Sequence, residues 1–203
     1  MAHEAMARLR RITAGGWLRI VVVACALLAL GLVALARAQA PTPDRARALI
    51  GHPAPAFSAP AAQDGHLLPQ PTRYDPRSGG PTLLVFFDTL CVHCVAGVQT
   101  ANATATTAPT SLRVIYLDAP GENAEITGAY MARLRVAAPV LLDVDARIAS
   151  RYGVAYYPSF VLIDPHGVVR AVWTGTPSAS ELRAAIAQTT RAPSPAHAAT
   201  RVG

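Results

Sequence analysis

The stretch Pro81–Val98, "PTLLVFFDTLCVHCVAGV", decides how the whole chain is read. Within it, Thr82–Phe87 ("TLLVFF") is a short, almost wholly apolar run rich in β-branched and aromatic residues. Such a run is expected of a strand covered on both faces. It ends abruptly, and Cys91, His93 and Cys94 follow within a few residues. The chain has three cysteines, and two of them stand here, three positions apart, at the end of a buried strand. What a thiol pair does depends on its compartment.

The compartment is indicated upstream. Ile20–Ala36 ("IVVVACALLALGLVALA") contains no charged residue. As a helix it would be roughly 25 Å long, slightly short of a bilayer's apolar core. Arg8, Arg10, Arg11 and Arg19 precede it against one acid, Glu4. Basic flanks are held on the cytoplasmic side, so the bulk of the chain is expected outside. An uncleaved anchor is the first reading. A cleaved signal peptide is the alternative, with Ala38-Gln39-Ala40 as exit site; Pro41 just after the cut and the length of the apolar run weigh against it. Cys25 as a lipid-attachment site is a third reading, disfavoured because the chain stays apolar beyond it. The expected organisation is a basic cytoplasmic segment 1–19, an anchor or signal segment 20–36, a linker 37–49, a folded domain 50–188 and a disordered tail 189–203.

The charge divides the same way. Residues 1–40 hold five arginines and one acid, whereas 41–203 hold thirteen arginines and eleven acids. The net charge of +6 is thus largely a topology signal. With no basic cluster and no basic–aromatic interleaving, nucleic acid is not an expected partner.

Outside the cytoplasm, Cys91 and Cys94 are open to oxidation. A disulfide closing so small a loop stabilises little through chain entropy, so a purely structural role explains it poorly. A cysteine in the first turn of a helix faces unpaired N–H groups and the positive end of the dipole, both of which favour the thiolate. Cys-x-x-Cys pairs so placed have pKa values lowered to about 3.5–7.5. Cys91 is therefore the candidate nucleophile and Cys94, a turn deeper, the resolving thiol. His93, when charged, is expected to stabilise the reduced form and make the oxidised pair a stronger oxidant. Half of a zinc site is the structural alternative, but no second Cys-x-x-Cys or His-x₃-His exists to complete it. No cofactor or metal is expected.

The remaining elements alternate. Residues 41–80, rich in Pro, Ala and Gly, read as a tether and an extended lead-in. A helix is expected from Cys91 to about Thr106, a strand over Leu112–Leu117, a helix over Ala124–Leu134 and a short apolar stretch over Pro139–Leu142. A short helix follows at Ala146–Tyr152, ended by Gly153. "PSFVLIDPHGVVRAVWTG" reads as two strands about a turn at Asp164, Pro165 and Gly167. Ser178 or Ser180 is expected to cap a last helix, Glu181–Gln188. Helices alternating with buried strands imply a layered α/β sheet.

"PTLLVFFDTLCVHC", "APVLLDVDARIASRYGVAYYPSFVLIDPHGVV" and the lead-in "GHPAPAFSAP" together resemble thioredoxin-like redoxins of the TlpA/ResA type. The resemblance spans about Ile50–Gln188. It implies a central mixed β-sheet flanked by helices, attached here to an N-terminal transmembrane helix, and a membrane-tethered, periplasm-facing thiol–disulfide oxidoreductase. By the same resemblance Cys91 attacks and Cys94 resolves. Pro158 matches the family's cis-proline beside the disulfide, and Tyr157 would present its backbone to a substrate chain by strand-like pairing. An ordinary turn proline is the alternative at 158. Two departures stand out. Val85 occupies the position where thioredoxins keep a buried acid, which leaves the acceptor of the Cys94 proton open, Asp88 being nearer the motif. Leu90 stands where Trp is common.

The function expected is thiol–disulfide exchange on exported proteins with cysteine pairs, coupled to a membrane electron donor or acceptor. A reductant, for example in cytochrome c maturation, competes with a disulfide-forming oxidant. A copper-binding relative is a further alternative, with Cys91, Cys94 and His166 or His93 as ligands. A peroxidase reading is weaker, since no Thr-x-x-Cys pattern precedes either cysteine.

Overall fold

A computed structural model describes residues 17, 19–33, 44–108, 111–121 and 123–191. The chain divides into two compact units, Met1–Ala40 and Pro41–Gly203. In the first, residues 19–33 are helical. Among the described residues no helix is long and apolar enough to cross a membrane. Of the expected segments, residues 1–16 and 18 of the basic segment 1–19, 34–36 of the anchor, 37–43 of the linker and 192–203 of the tail 189–203 lie outside the described residues; residues 189–191 of that tail are helical, continuing the last helix.

The second unit is built on a seven-stranded mixed sheet. Its strands are β2 (Ala61–Gln63), β3 (His66–Leu67), β5 (Thr82–Phe87), β6 (Arg113–Asp118), β7 (Val140–Leu142), β8 (Ser159–Ile163) and β9 (Val169–Thr174). They lie in the order β3-β2-β7-β6-β5-β8-β9. Pairs β5–β6 and β6–β7 are parallel; β5–β8 and β8–β9 are antiparallel. Two further strands, β1 (Phe57–Ala59) and β4 (Thr72–Tyr74), form a separate antiparallel ribbon. The helices are α1 (Asp44–Arg47), α2 (Cys94–Thr107), α3 (Ala124–Arg133), α4 (Arg147–Arg151) and α5 (Ala179–Arg191).

The apolar run Thr82–Phe87 is the interior strand β5, between β6 and β8. Every residue of β5 is buried, and its side chains alternate between two cores as the pleat requires. Leu84 and Phe86 enter one core with Leu117, Val161, Phe57, Tyr74 and Tyr152. Leu83, Val85 and Phe87 enter the other with Tyr116, Phe160, Cys94, Val98, Tyr130, Leu182 and Ile186. Full burial of each such side chain stabilises by about 1.5–3 kcal/mol.

Several expectations shift. The helix after β5 begins at Cys94, not Cys91, because the Cys94 N–H bonds back three residues to the Cys91 carbonyl at 3.0 Å in a tight turn. The expected linker includes α1, whose Ala46 is buried in the core. The lead-in holds four strands of two or three residues, too short to show a period in the sequence. Gly153 supplies the fit between lead-in and core. At φ +66 it lies so close to the first helix that a Cβ there would come within 2.6 Å of the Arg45 carbonyl carbon. The Tyr152 hydroxyl donates to the Pro55 carbonyl at 2.6 Å, tying the same lead-in down. At the far end, Ser178 and Glu181 cap α5 reciprocally: the Glu181 N–H donates to Ser178 Oγ, and the Ser178 N–H donates to Glu181 Oε2.

Candidate active site

The site lies where β5 ends. Asp88 turns the chain out of the strand: its Oδ1 accepts the Leu90 N–H at 2.8 Å and its carbonyl accepts the Cys91 N–H at 3.1 Å. Its carboxylate is thus engaged by the turn that presents the cysteines. Cys91 and Cys94 form a disulfide, with their Cα atoms 5.3 Å apart. Cys91 is half-buried, whereas Cys94 has no exposed surface and packs with Phe87, Val98 and Phe160. An incoming sulfur therefore reaches Cys91 and not Cys94. This asymmetry agrees with the roles of attacking and resolving thiol, although Cys91 sits just ahead of the helix and not inside its first turn. No acid stands in the first turn of α2 to oppose a thiolate. His93 occupies the N-cap position, exposed, and its side chain makes no capping bond.

The second wall is the Tyr156–Ser159 loop. The Tyr157–Pro158 peptide bond is cis, as is Ala119–Pro120, for which the sequence held no signal. Tyr157 O lies 3.6 Å from Cys91 Sγ. A disulfide sulfur carries no hydrogen, so in this oxidised state the approach is a contact; a reduced Cys91 thiol in the same place would donate to that carbonyl. The loop is pinned on both sides. The Ser159 hydroxyl donates to the Tyr156 carbonyl at 2.7 Å, and the Gly175 N–H donates to the Pro158 carbonyl at 2.8 Å.

Gly97, unremarked in the sequence, lets α2 lie against this loop. A Cβ at 97 would stand 3.0 Å from both Cβ and Cγ of Pro158 and 3.2 Å from Thr176 Oγ1. A glycine one turn after a Cys-x-x-Cys was the available clue.

Three carboxylates act electrostatically on the Tyr157 phenol. Burial first, then Asp143, Asp88 and Asp118, push its phenol up to about 12, so it is neutral at physiological pH. Asp143 accepts the N–H groups of Ile148 and Ala149 at 2.8 and 2.7 Å and so caps the start of α4. Asp118 is fully buried at the end of β6 and accepts a hydrogen bond from the Thr127 hydroxyl of α3. Val85, where a thioredoxin keeps its acid, is fully buried and pairs with Tyr116; Asp118 lies two residues further along that neighbouring strand. A carboxylate closing the apolar run "RVIYLD" was legible as sequence, but its burial was not.

His166, offered as a copper ligand, lies in the turn between β8 and β9, at the opposite end of the sheet from the disulfide. It cannot join the two sulfurs.

The family model described as AhpC/TSA family matches residues 50–172. No curated protein matches the chain. Solved structures do. A thiol:disulfide interchange protein of the thioredoxin family from Chlorobium tepidum is 21% identical, with a TM-score of 0.56, covering 68% of this chain and 94% of its own. A secreted Mycobacterium tuberculosis disulfide oxidoreductase homologous to E. coli DsbE is 19% identical, with a TM-score of 0.54, covering 72% and 99%. A 2-Cys peroxiredoxin from Plasmodium vivax is 17% identical, with a TM-score of 0.55, covering 69% and 95%. At these identities the likeness is one of fold, and that fold is thioredoxin-like, with a mixed sheet between helices.

Proposed function

The chain belongs to the AhpC/TSA family and has a thioredoxin-like fold; on that premise we propose that it is a thiol–disulfide oxidoreductase that exchanges disulfides with exported proteins, tethered outside the cytoplasm by its N-terminal apolar segment. The observation that carries the reading is the unequal burial of the two sulfurs: Cys91 open beside Tyr157, Cys94 sealed beneath it. In the reducing direction the Cys91 thiolate attacks a substrate disulfide. One substrate sulfur leaves as a thiolate, and a mixed disulfide to Cys91 forms. Cys94, deprotonated, then attacks the Cys91 sulfur, releases the second substrate thiolate and closes the Cys91–Cys94 bond. Two electrons pass to the substrate, whose thiolates take up two protons. A membrane-borne dithiol donor must return the pair to its reduced state.

Pro158 and the Tyr157 backbone form the wall along which the substrate chain lies. The charge-free run Ile20–Ala36 with arginines before it supports the tether and its orientation. A reducing role, as in cytochrome c maturation, rests on the resemblance in sequence. The exposed His93 between the sulfurs favours the second reading, a disulfide-forming oxidant. A reduction potential near thioredoxin's, about −270 mV, supports the first, and one near DsbA's, about −120 mV, the second.

The roles of the cysteines are tested by trapping. Full-length Cys94→Ser is expected to accumulate mixed disulfides with exported proteins through Cys91, and Cys91→Ser to accumulate none. The reverse pattern overturns the assignment.

A further inference from the structure

We propose that Leu90, Val92 and Tyr156 form an apolar collar around Cys91 that selects cysteines embedded in apolar, extended polypeptide over small anionic thiols. The inference deepens the redox reading above and rests on it. Among the described residues of the folded unit, Leu90 at 84% and Val92 at 77% are the two most exposed large apolar side chains. They are the two chain neighbours of Cys91. Tyr156, 53% exposed, adjoins Tyr157, whose carbonyl touches Cys91 Sγ. Scattered apolar side chains on a surface need no explanation, but three grouped about the one accessible sulfur mark a contact surface.

The occupant follows from the chemistry. A partner sulfur joined to Cys91 brings its own flanking residues over positions 90 and 92, because the bond fixes the two chains within a few ångströms. Leu90 and Val92 then lose their water only if those flanking residues are themselves apolar. Charge excludes the other class. Residues 88–93 and 155–158 contain no arginine, and the chain has no lysine. The fixed charge of this turn is the Asp88 carboxylate, three residues before Cys91 and held by the Leu90 N–H. Apart from His93, a small thiol carrying carboxylates finds no basic side chain in these two stretches, and the Asp88 carboxylate repels it.

The step that reads this out is balanced. A peptide thiolate attacks Cys91 Sγ, the Cys91–Cys94 bond breaks, Cys94 leaves as a thiolate and a peptide–Cys91 disulfide forms.

The test uses the full-length oxidised protein in mild detergent and three thiols: a peptide with leucine on both sides of its cysteine, one with serine on both sides, and reduced glutathione. Acid-quenched mass spectrometry gives the rate of mixed-disulfide formation at Cys91. Each rate is divided by that thiol's rate with hydroxyethyl disulfide, which removes differences in intrinsic reactivity. The leucine peptide is expected to exceed both others by at least about tenfold, the factor that burying one apolar side chain supplies. Leu90→Ser/Val92→Ser is expected to shrink that ratio to within about twofold, whereas Leu67→Ser, at an exposed position on the edge strand β3, keeps it. Equal normalised rates in the unaltered protein, or a ratio that survives the double substitution, overturn the collar while leaving disulfide exchange intact. Failure of Cys91 to form a mixed disulfide with any thiol, dithiothreitol included, overturns the redox reading itself and the collar with it.

Discussion

Two turns leave the sheet through an aspartate, one at each end, and they close differently. At the β8–β9 turn Asp164 is fully engaged: Oδ1 accepts the N–H groups of His166 and Val168 at 2.8 and 2.9 Å, and Oδ2 pairs with Arg170 at 2.6 Å. Its carboxylate is 1% exposed, every demand of the turn is met within six residues, and no apolar side chain of that turn stands among the strongly exposed ones. At the end of β5, Asp88 makes a similar first bond, to the N–H two residues on, and there the likeness stops. No ion pair of Asp88 is present among the described residues. Leucine and valine stand in water on either side of a half-buried sulfur. One turn is built for closure, and the other keeps a reactive atom reachable at the cost of exposed apolar surface.

The comparison can be broken by substitution. Asp164→Ala is expected to cost about 3 kcal/mol, since it strips a buried acceptor from two N–H groups and an arginine. Urea unfolding measures the loss, and the exchange rate at Cys91 should stay within about twofold, because the disulfide is at the other end of the sheet. A large fall in exchange would mean that the two ends are coupled. Gly97→Ala should cost about 2 kcal/mol by overpacking α2 against Pro158 and Thr176. Unlike Asp164→Ala it should also slow alkylation of reduced Cys91, because the helix and the Tyr157 loop can no longer approach as closely. Unaltered alkylation would reduce Gly97 to a packing residue.

Asp88→Ala sharpens the contrast most directly. It removes one turn hydrogen bond on a partly exposed loop and should cost only about 1 kcal/mol. Its larger effect should fall on exchange kinetics, through the loosened Leu90–Cys91 turn. The smallest effect concerns pH. Tyr157 has a folded-state pKa raised from 10.0 to about 12, so the folded protein holds that proton more tightly than the unfolded chain does. Its contribution is complete below pH 10 and is lost as pH rises towards 12. Tyr157→Phe should therefore flatten part of the alkaline fall in melting temperature without altering the plateau below pH 9. Burial also raises Tyr74, Tyr116, Tyr130 and Tyr152, so the remaining fall should persist.

What was legible from residues alone was whatever local pattern dictates. "TLLVFF" could only be a strand covered on both sides, and Cys-x-x-Cys after it could only with difficulty be inert. The Asp164–Gly167 turn and the Ser178–Glu181 cap follow from the hydrogen bonds that their own side chains make within three or four positions. The same locality explains what stayed hidden. The short strands β1–β4 exist because Tyr152, Gly153 and the sheet edge receive them, not because their residues demand it. Asp118 and Asp143 look like ordinary polar residues until partners from α3 and α4 cover them. The sequence by itself determined the buried strand Thr82–Phe87, the cysteine pair that follows it and the order of elements, because these rest on local pattern. Only the tertiary structure decided which sulfur faces solvent, how closely Gly97 brings α2 to Pro158, and that the Tyr157 carbonyl comes to lie beside Cys91, because each depends on segments some sixty residues apart meeting in space.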